Sequence, residues 1–186
     1  NFPFHIGTLY KGPQHMGPSN PLFEHNSHLW ATMTGYPYDD LEQWRSVYPI
    51  DVFENQLKLT AEGFKVGLDQ LLAKITEKDL VQNKRLAEFV DIATATYCLF
   101  QSSYQQTVYN VTRNAYDEET DSQKRAQMRA KIQQMLDAEI EIAMKMYAVM
   151  IHNSTIGYEA ANHYFFNKYS MMEKIICCEY LKTRFQ

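Results

Sequence analysis

Beyond about residue 50, apolar positions recur at steps of three and four along most of the chain. The first such run is Phe53, Leu57, Phe64, Leu68, Leu71, Leu72 and Ile75, which predicts one long helix. Gly63 and Gly67 flank that stripe. Either they admit the close approach of another helix, or they are tolerated at up to about 1 kcal/mol each relative to Ala. A second helix is predicted from near Leu80 to about Arg113. Its stripe is Leu86, Val90, Ala93, Tyr97, Phe100, Tyr104, Val108 and Val111, a spacing that suits knobs-into-holes packing in a bundle. Asp117-Glu118-Glu119 marks a turn and the acidic opening of a third helix. That helix is predicted over about Asp121 to Ile151, with an apolar arc of Met128, Ile132, Met135, Leu136, Ile140, Ile142, Ala143, Met146, Tyr147 and Met150. A last helix, about Ser170 to Arg184, carries Met171, Met172, Ile175, Ile176 and Leu181. Upstream, Asp39 or Asp40 caps a short helix through Trp44 and Tyr48. Pro49 ends that helix or opens the next one.

Residues 1–40 break the pattern. They hold five of the six prolines, four of the seven glycines and four of the six histidines (His5, His15, His25 and His28). Gly12-Pro13, Gly17-Pro18 and Asn20-Pro21 are turn pairs. Aromatics such as Phe4, Phe23 and Trp30 distinguish this segment from a disordered tail. The expectation is an all-α single domain over 1–186. Residues 1–40 form an irregular arm, and 41–186 a bundle of three long antiparallel helices plus a shorter C-terminal one.

Composition narrows the function classes. A net charge of −4 with scattered Lys and Arg argues against nucleic acid. Lys124, Arg125, Arg129 and Lys131 read as a solvated helix face. No run of apolar residues is long enough for a membrane span. The thirteen Tyr, ten Phe and two Trp suit either a Tyr-rich core or a surface that meets polar ligands and proteins. Cys98, Cys177 and Cys178 form no disulfide framework and no zinc spacing, so they read as buried free thiols. The arm histidines do not have metal-ligand spacing, and neither a metal nor a cofactor is expected. The chain begins at Asn1, which reads as a processed product or an excised domain.

Two features carry candidate chemistry. Glu139 falls in the middle of the third helix's apolar arc, where a carboxylate is costly unless paired or protonated. It is either a ligand-holding or proton-handling acid, or one end of a structural pair. His163, Arg113, Tyr97 and Tyr104 are its candidate partners. The stretch Gly157 to Phe166 mixes four aromatics with Glu159, Asn162 and His163. A helical conformation there would place those three on one face. Catalytic and purely structural readings both fit it. Around these, Tyr164, His15 and Trp30 complete a candidate ligand-binding set with Glu139, Glu159, Asn162 and His163, and no catalytic residue is assigned.

Three ordered stretches also carry a resemblance. They are Gly12-Pro13-Gln14-His15-Met16-Gly17-Pro18-Ser19-Asn20-Pro21, then Gly35-Tyr36-Pro37-Tyr38-Asp39-Asp40-Leu41-Glu42-Gln43-Trp44-Arg45, then Ile156-Gly157-Tyr158-Glu159-Ala160-Ala161-Asn162-His163-Tyr164. Together they resemble the C-terminal helical region of large bacterial glycoside-hydrolase-like proteins, where such a region follows a (β/α) barrel. The resemblance implies an exported, carbohydrate-related parent whose preceding catalytic domain is the partner of this chain, with carbohydrate as a further partner. It implies a non-catalytic domain that packs on or completes that catalytic domain. The alternatives are a glycoside hydrolase with its acids among Glu139, Glu159 and Asp39 or Asp40, and a purely structural interaction module.

Overall fold

The computed structural model describes residues 17–26, 39–45, 47–159 and 164–186. They form an all-α bundle. After a 3-10 turn at Gly17–Ser19 come α1 (Leu41–Trp44), α2 (Ile50–Leu72), α3 (Glu77–Gln82), α4 (Lys84–Glu118) and α5 (Ser122–Met150). A two-stranded ribbon, β1 (Tyr158–Glu159) and β2 (Tyr164–Phe165), precedes α6 (Lys168–Arg184).

The helix boundaries follow local chemistry. The Asp40 carboxylate accepts from Glu42 N at 3.2 Å and so caps α1. Pro49 sits at the N-cap of α2. Thr76 and Asp79 form a reciprocal capping box that opens α3. Asn83 then caps α4, so the single helix expected from Leu80 is two helices divided at Asn83. Asp121 caps α5, and Asn167 caps α6 through a box with Ser170.

Two apolar clusters divide the bundle lengthwise. One gathers Leu68, Ala95, Tyr97, Cys98, Ile142, Met146, Met150 and Met171. The other gathers Leu22, Tyr109, Ile132, Leu136, Cys178, Leu181 and Phe185. Along α4 and α6 the chain passes from the first cluster to the second, and along α5 from the second to the first. The long helices therefore alternate in direction. A third, smaller cluster joins Leu41 and Phe53 to Val111.

In its second half α4 is the central column. From Ser102 to Arg113 every residue is buried except Tyr104 and Val111, which are half-buried. Helices α1, α2, α3 and α5 and the Gly17–Ser19 turn all pack against α4. The faces of α6 differ from the sequence expectation. Met171, Lys174, Cys178 and Leu181 are buried, while Met172 and Ile176 face outward.

The stretch 157–166 is not helical where it is described. Tyr158 pairs with Phe165 and Glu159 with Tyr164 in antiparallel register. Phe166 N donates to Gly157 O at 2.8 Å and closes the ribbon. Gly157 has φ +94°, and a Cβ there would lie 2.3 Å from Phe166 O, so glycine is required.

Candidate functional site

Glu139 is fully buried on α5, as its place in the apolar arc implies. Its partners are not those expected from the sequence. Lys174 Nζ of α6 lies 2.9 Å from Glu139 Oε2, with both side chains completely enclosed. Ser102 Oγ of α4 donates to the same oxygen at 2.9 Å. Arg113, a candidate partner, is committed elsewhere.

The pair belongs to a polar layer between the two apolar clusters. Gln106 Nε2 donates to Ser102 Oγ at 2.7 Å and to the carbonyl of Gly17 at 2.6 Å. Lys174 Nζ donates to the carbonyl of Asn20 at 2.7 Å. Three helices thus converge on the turn Gly17-Pro18-Ser19-Asn20. Gly17 has φ +49°, and a Cβ there would sit 3.1 Å from Leu99 Cα, so this turn touches α4 backbone to backbone.

The reason for so much buried polarity is the irregular backbone of the arm. A buried segment without a helix or ladder must find other partners for its carbonyls. Gln106 holds the Gly17 carbonyl and Lys174 holds that of Asn20. Cys177 Sγ lies 3.3 Å from the Leu22 carbonyl. Tyr109 Oη and Arg113 Nη1 both donate to the Phe23 carbonyl, at 2.8 and 3.1 Å. At the edge, Arg184 Nε donates to Glu24 Oε2 at 2.9 Å, and His25 Nδ1 lies 3.1 Å from Asp117. Arg113 is itself fully buried, and its Nη1 also reaches Asp39 Oδ2 at 3.3 Å.

Burial drives the electrostatics. It holds the Glu139 carboxyl above its usual range, opposed by the Lys174 charge and by hydrogen bonds from Lys174 and Ser102. Glu139 Oε1 has no hydrogen-bond partner among the described residues, which leaves half of the carboxylate uncompensated. Burial likewise pushes the Cys98 and Cys178 thiols up to about 12, which makes them inert. Cys177, expected to be buried, is only partly so.

The candidate set is thus dispersed. Glu139 lies in the core. Glu159 and Tyr164 pair as backbone partners in the ribbon, so Glu159 lies on a strand and not on the helix considered for it. Asn162, His163, His15 and Trp30 lie outside the described residues. Of the acids weighed for catalysis, Glu139 and Asp39 are each taken by a buried cation, and Asp40 caps α1.

Sequence reasoning missed Ser102, Gln106 and Lys174, and gave Arg113 to Glu139 rather than to Asp39 and the Phe23 carbonyl. Two signals were available. From Ile92 to Thr112 the chain carries no Asp, Glu, Lys or Arg, yet it is rich in Ser, Thr, Gln and Tyr. Such a helix suits burial among hydrogen-bonding partners. Lys174 falls on the 3-4-3 stripe of Met171, Cys178 and Leu181, a second charge out of pattern and opposite in sign to Glu139.

Among the described residues, no three His, Cys, Asp or Glu side chains group as metal ligands would. No described helix is long and apolar enough to cross a membrane. The surface offers a different feature. On α6, Tyr169, Met172, Ile176 and Tyr180 form one exposed stripe. It borders a cleft of about 510 Å³ lined by Pro21, Glu173, Ile176, Cys177 and Tyr180. Comparison with protein-family models, with curated proteins and with solved structures returns no match.

Proposed function

We propose that this chain is a non-catalytic helical domain that packs on the catalytic domain of a larger, exported bacterial protein of the glycoside-hydrolase-like kind. The observation that carries this reading is the α6 surface. Four large apolar side chains stand exposed on one stripe, beside a mostly apolar cleft where the arm meets the helix. An apolar patch of this kind marks an interaction site. The resemblance of the three ordered stretches supplies the identity of the partner. The acids also support the reading. Glu139 and Asp39 are enclosed with Lys174 and Arg113, so neither can flank a glycosidic bond.

Two measurements on the purified chain test this. On a panel of chromogenic glycosides the chain is expected to show no turnover. Mixed with the catalytic domain of its parent, it is expected to bind, and Ile176→Glu is expected to abolish that binding without unfolding the chain. Turnover that disappears in Glu159→Gln would favour the enzyme alternative. Binding indifferent to Ile176→Glu would remove α6 as the docking face.

A further inference from the structure

A second exposed seam lies on α2, away from the polar layer, and its meaning does not depend on the proposal above. Helix α2 is 23 residues long, but only Phe53, Ala61 and Leu68 are buried. Its outer face carries Val52, Gln56, Leu59, Gly63, Val66 and Gln70, all exposed and separated by alternating steps of four and three. Leu59 and Val66 are 53% and 57% exposed. A lone surface helix needs no such heptad seam on its solvent side, whereas a helix facing another helix does.

Three properties of the seam say what covers it. First, it reads nearly the same in both directions about Gly63. Leu59 and Val66 flank the glycine, Gln56 and Gln70 stand seven residues to either side, and Val52 lies beyond Gln56. Second, its charged flank is Lys58, Glu62, Lys65 and Asp69, with signs +, −, +, −. Reversed, that order becomes −, +, −, +. An antiparallel copy centred beside Gly63 therefore brings Lys58 near Asp69 and Glu62 near Lys65. In an antiparallel pair each flank faces its own counterpart, so these contacts arise twice. Third, among the described residues nothing lies within 4 Å of where a Cβ would sit on Gly63 or Gly67. Among the described residues nothing calls for glycine at either position, although glycine disfavours a helix. Close approach of a second backbone would.

We infer that α2 is a self-association surface, paired antiparallel with α2 of a second copy across a two-fold axis near Gly63. A two-fold interface is made by the same patch on both subunits, so the patch must be complementary to its own reverse. The apolar seam, the glutamines and the flank charges all meet that condition. The intrahelical pairs, Lys58 with Glu62 at 3.8 Å and Lys65 with Asp69 at 2.5 Å, leave these groups at the surface. They can therefore be shared across the axis.

Sedimentation equilibrium of the intact chain tests this. The expected result is a concentration-dependent dimer. Leu59→Glu is expected to give monomer with an unchanged far-UV spectrum. Gly63→Leu is expected to weaken the dimer by about tenfold or more while leaving the monomer fold intact, since a Cβ there meets none of the described residues. Lys58→Glu is expected to weaken association, and Lys58→Glu combined with Asp69→Lys to restore it. A chain that stays monomeric throughout would overturn the inference. So would a dimer indifferent to both Leu59→Glu and Gly63→Leu, or a seam that instead binds the parent's catalytic domain.

Discussion

Glu139 and Lys174 are two residues whose placement is costly. Both are ionisable groups removed from water, and their attraction, with Ser102 and the Asn20 carbonyl completing the geometry, offsets only part of that cost. Removing one member leaves the other buried and alone. Glu139→Leu and Lys174→Met should therefore each lower stability by about 3–5 kcal/mol, whereas the double substitution should recover most of that loss. Denaturant unfolding of the four proteins in the cycle measures the coupling, and additive losses would show that the charges do not act as a pair. The pH dependence has a defined sign. Burial raises the Glu139 pKa in the folded chain, so the folded state holds that proton more tightly than the unfolded state. The contribution of the group to stability is then greatest below its unfolded value near 4.5 and is lost as pH rises through its folded value. Melting temperatures of the native chain and Glu139→Gln, compared between about pH 4 and pH 8, should drift in favour of Gln as pH increases. A constant difference would mean that burial leaves Glu139 unshifted.

At the scale of elements, helices were legible and the polar column was not. Apolar steps of three and four located α2, the long run of α4, α5 and α6, because a helix buries one stripe and that stripe is written in the residues. The central half of α4 has no dry stripe, since its neighbours include an irregular arm that needs donors, so periodicity fails where the arm touches it. Ser103, Thr107 and Thr112 donate to the carbonyls of Leu99, Ser103 and Val108 and so satisfy themselves within the helix. That leaves Ser102, Gln106, Tyr109 and Arg113 to reach outward. The ribbon at 157–166 misled for another reason. Its residues have no strong strand pattern, and the deciding feature is the left-handed backbone of Gly157. The arm itself behaves as an element. Deleting residues 1–26 takes Leu22 from the second cluster and removes the carbonyls that Gln106, Lys174, Tyr109 and Arg113 hold. The truncated chain should melt lower and aggregate, as light scattering would report. A truncation that stays monomeric and equally stable would show that α4 and α6 tolerate those donors unpaired.

For the molecule as a whole, the all-α fold could be read from pattern alone, whereas the candidate site could be read only at Glu139. A carboxylate in an apolar arc announces a partner but not its address. The address here is Lys174, on a helix whose stripe was read from Met171, Met172, Ile175, Ile176 and Leu181, of which Met171 and Leu181 are buried while Met172 and Ile176 face solvent. The arm's hold on that helix has a consequence in time. Asn20 and Lys174 lie 154 residues apart in the chain. At roughly 5–20 residues per second, a ribosome makes the first of these about 8–30 s before the second. Through that interval the turn at Gly17 lacks the donor that fixes Asn20, and in its last part Glu139 lacks its cation. The nascent domain must therefore wait with its central layer open. Whatever attends it in the cell meets an uncovered α4 until α6 leaves the exit tunnel and closes the bundle in one late step.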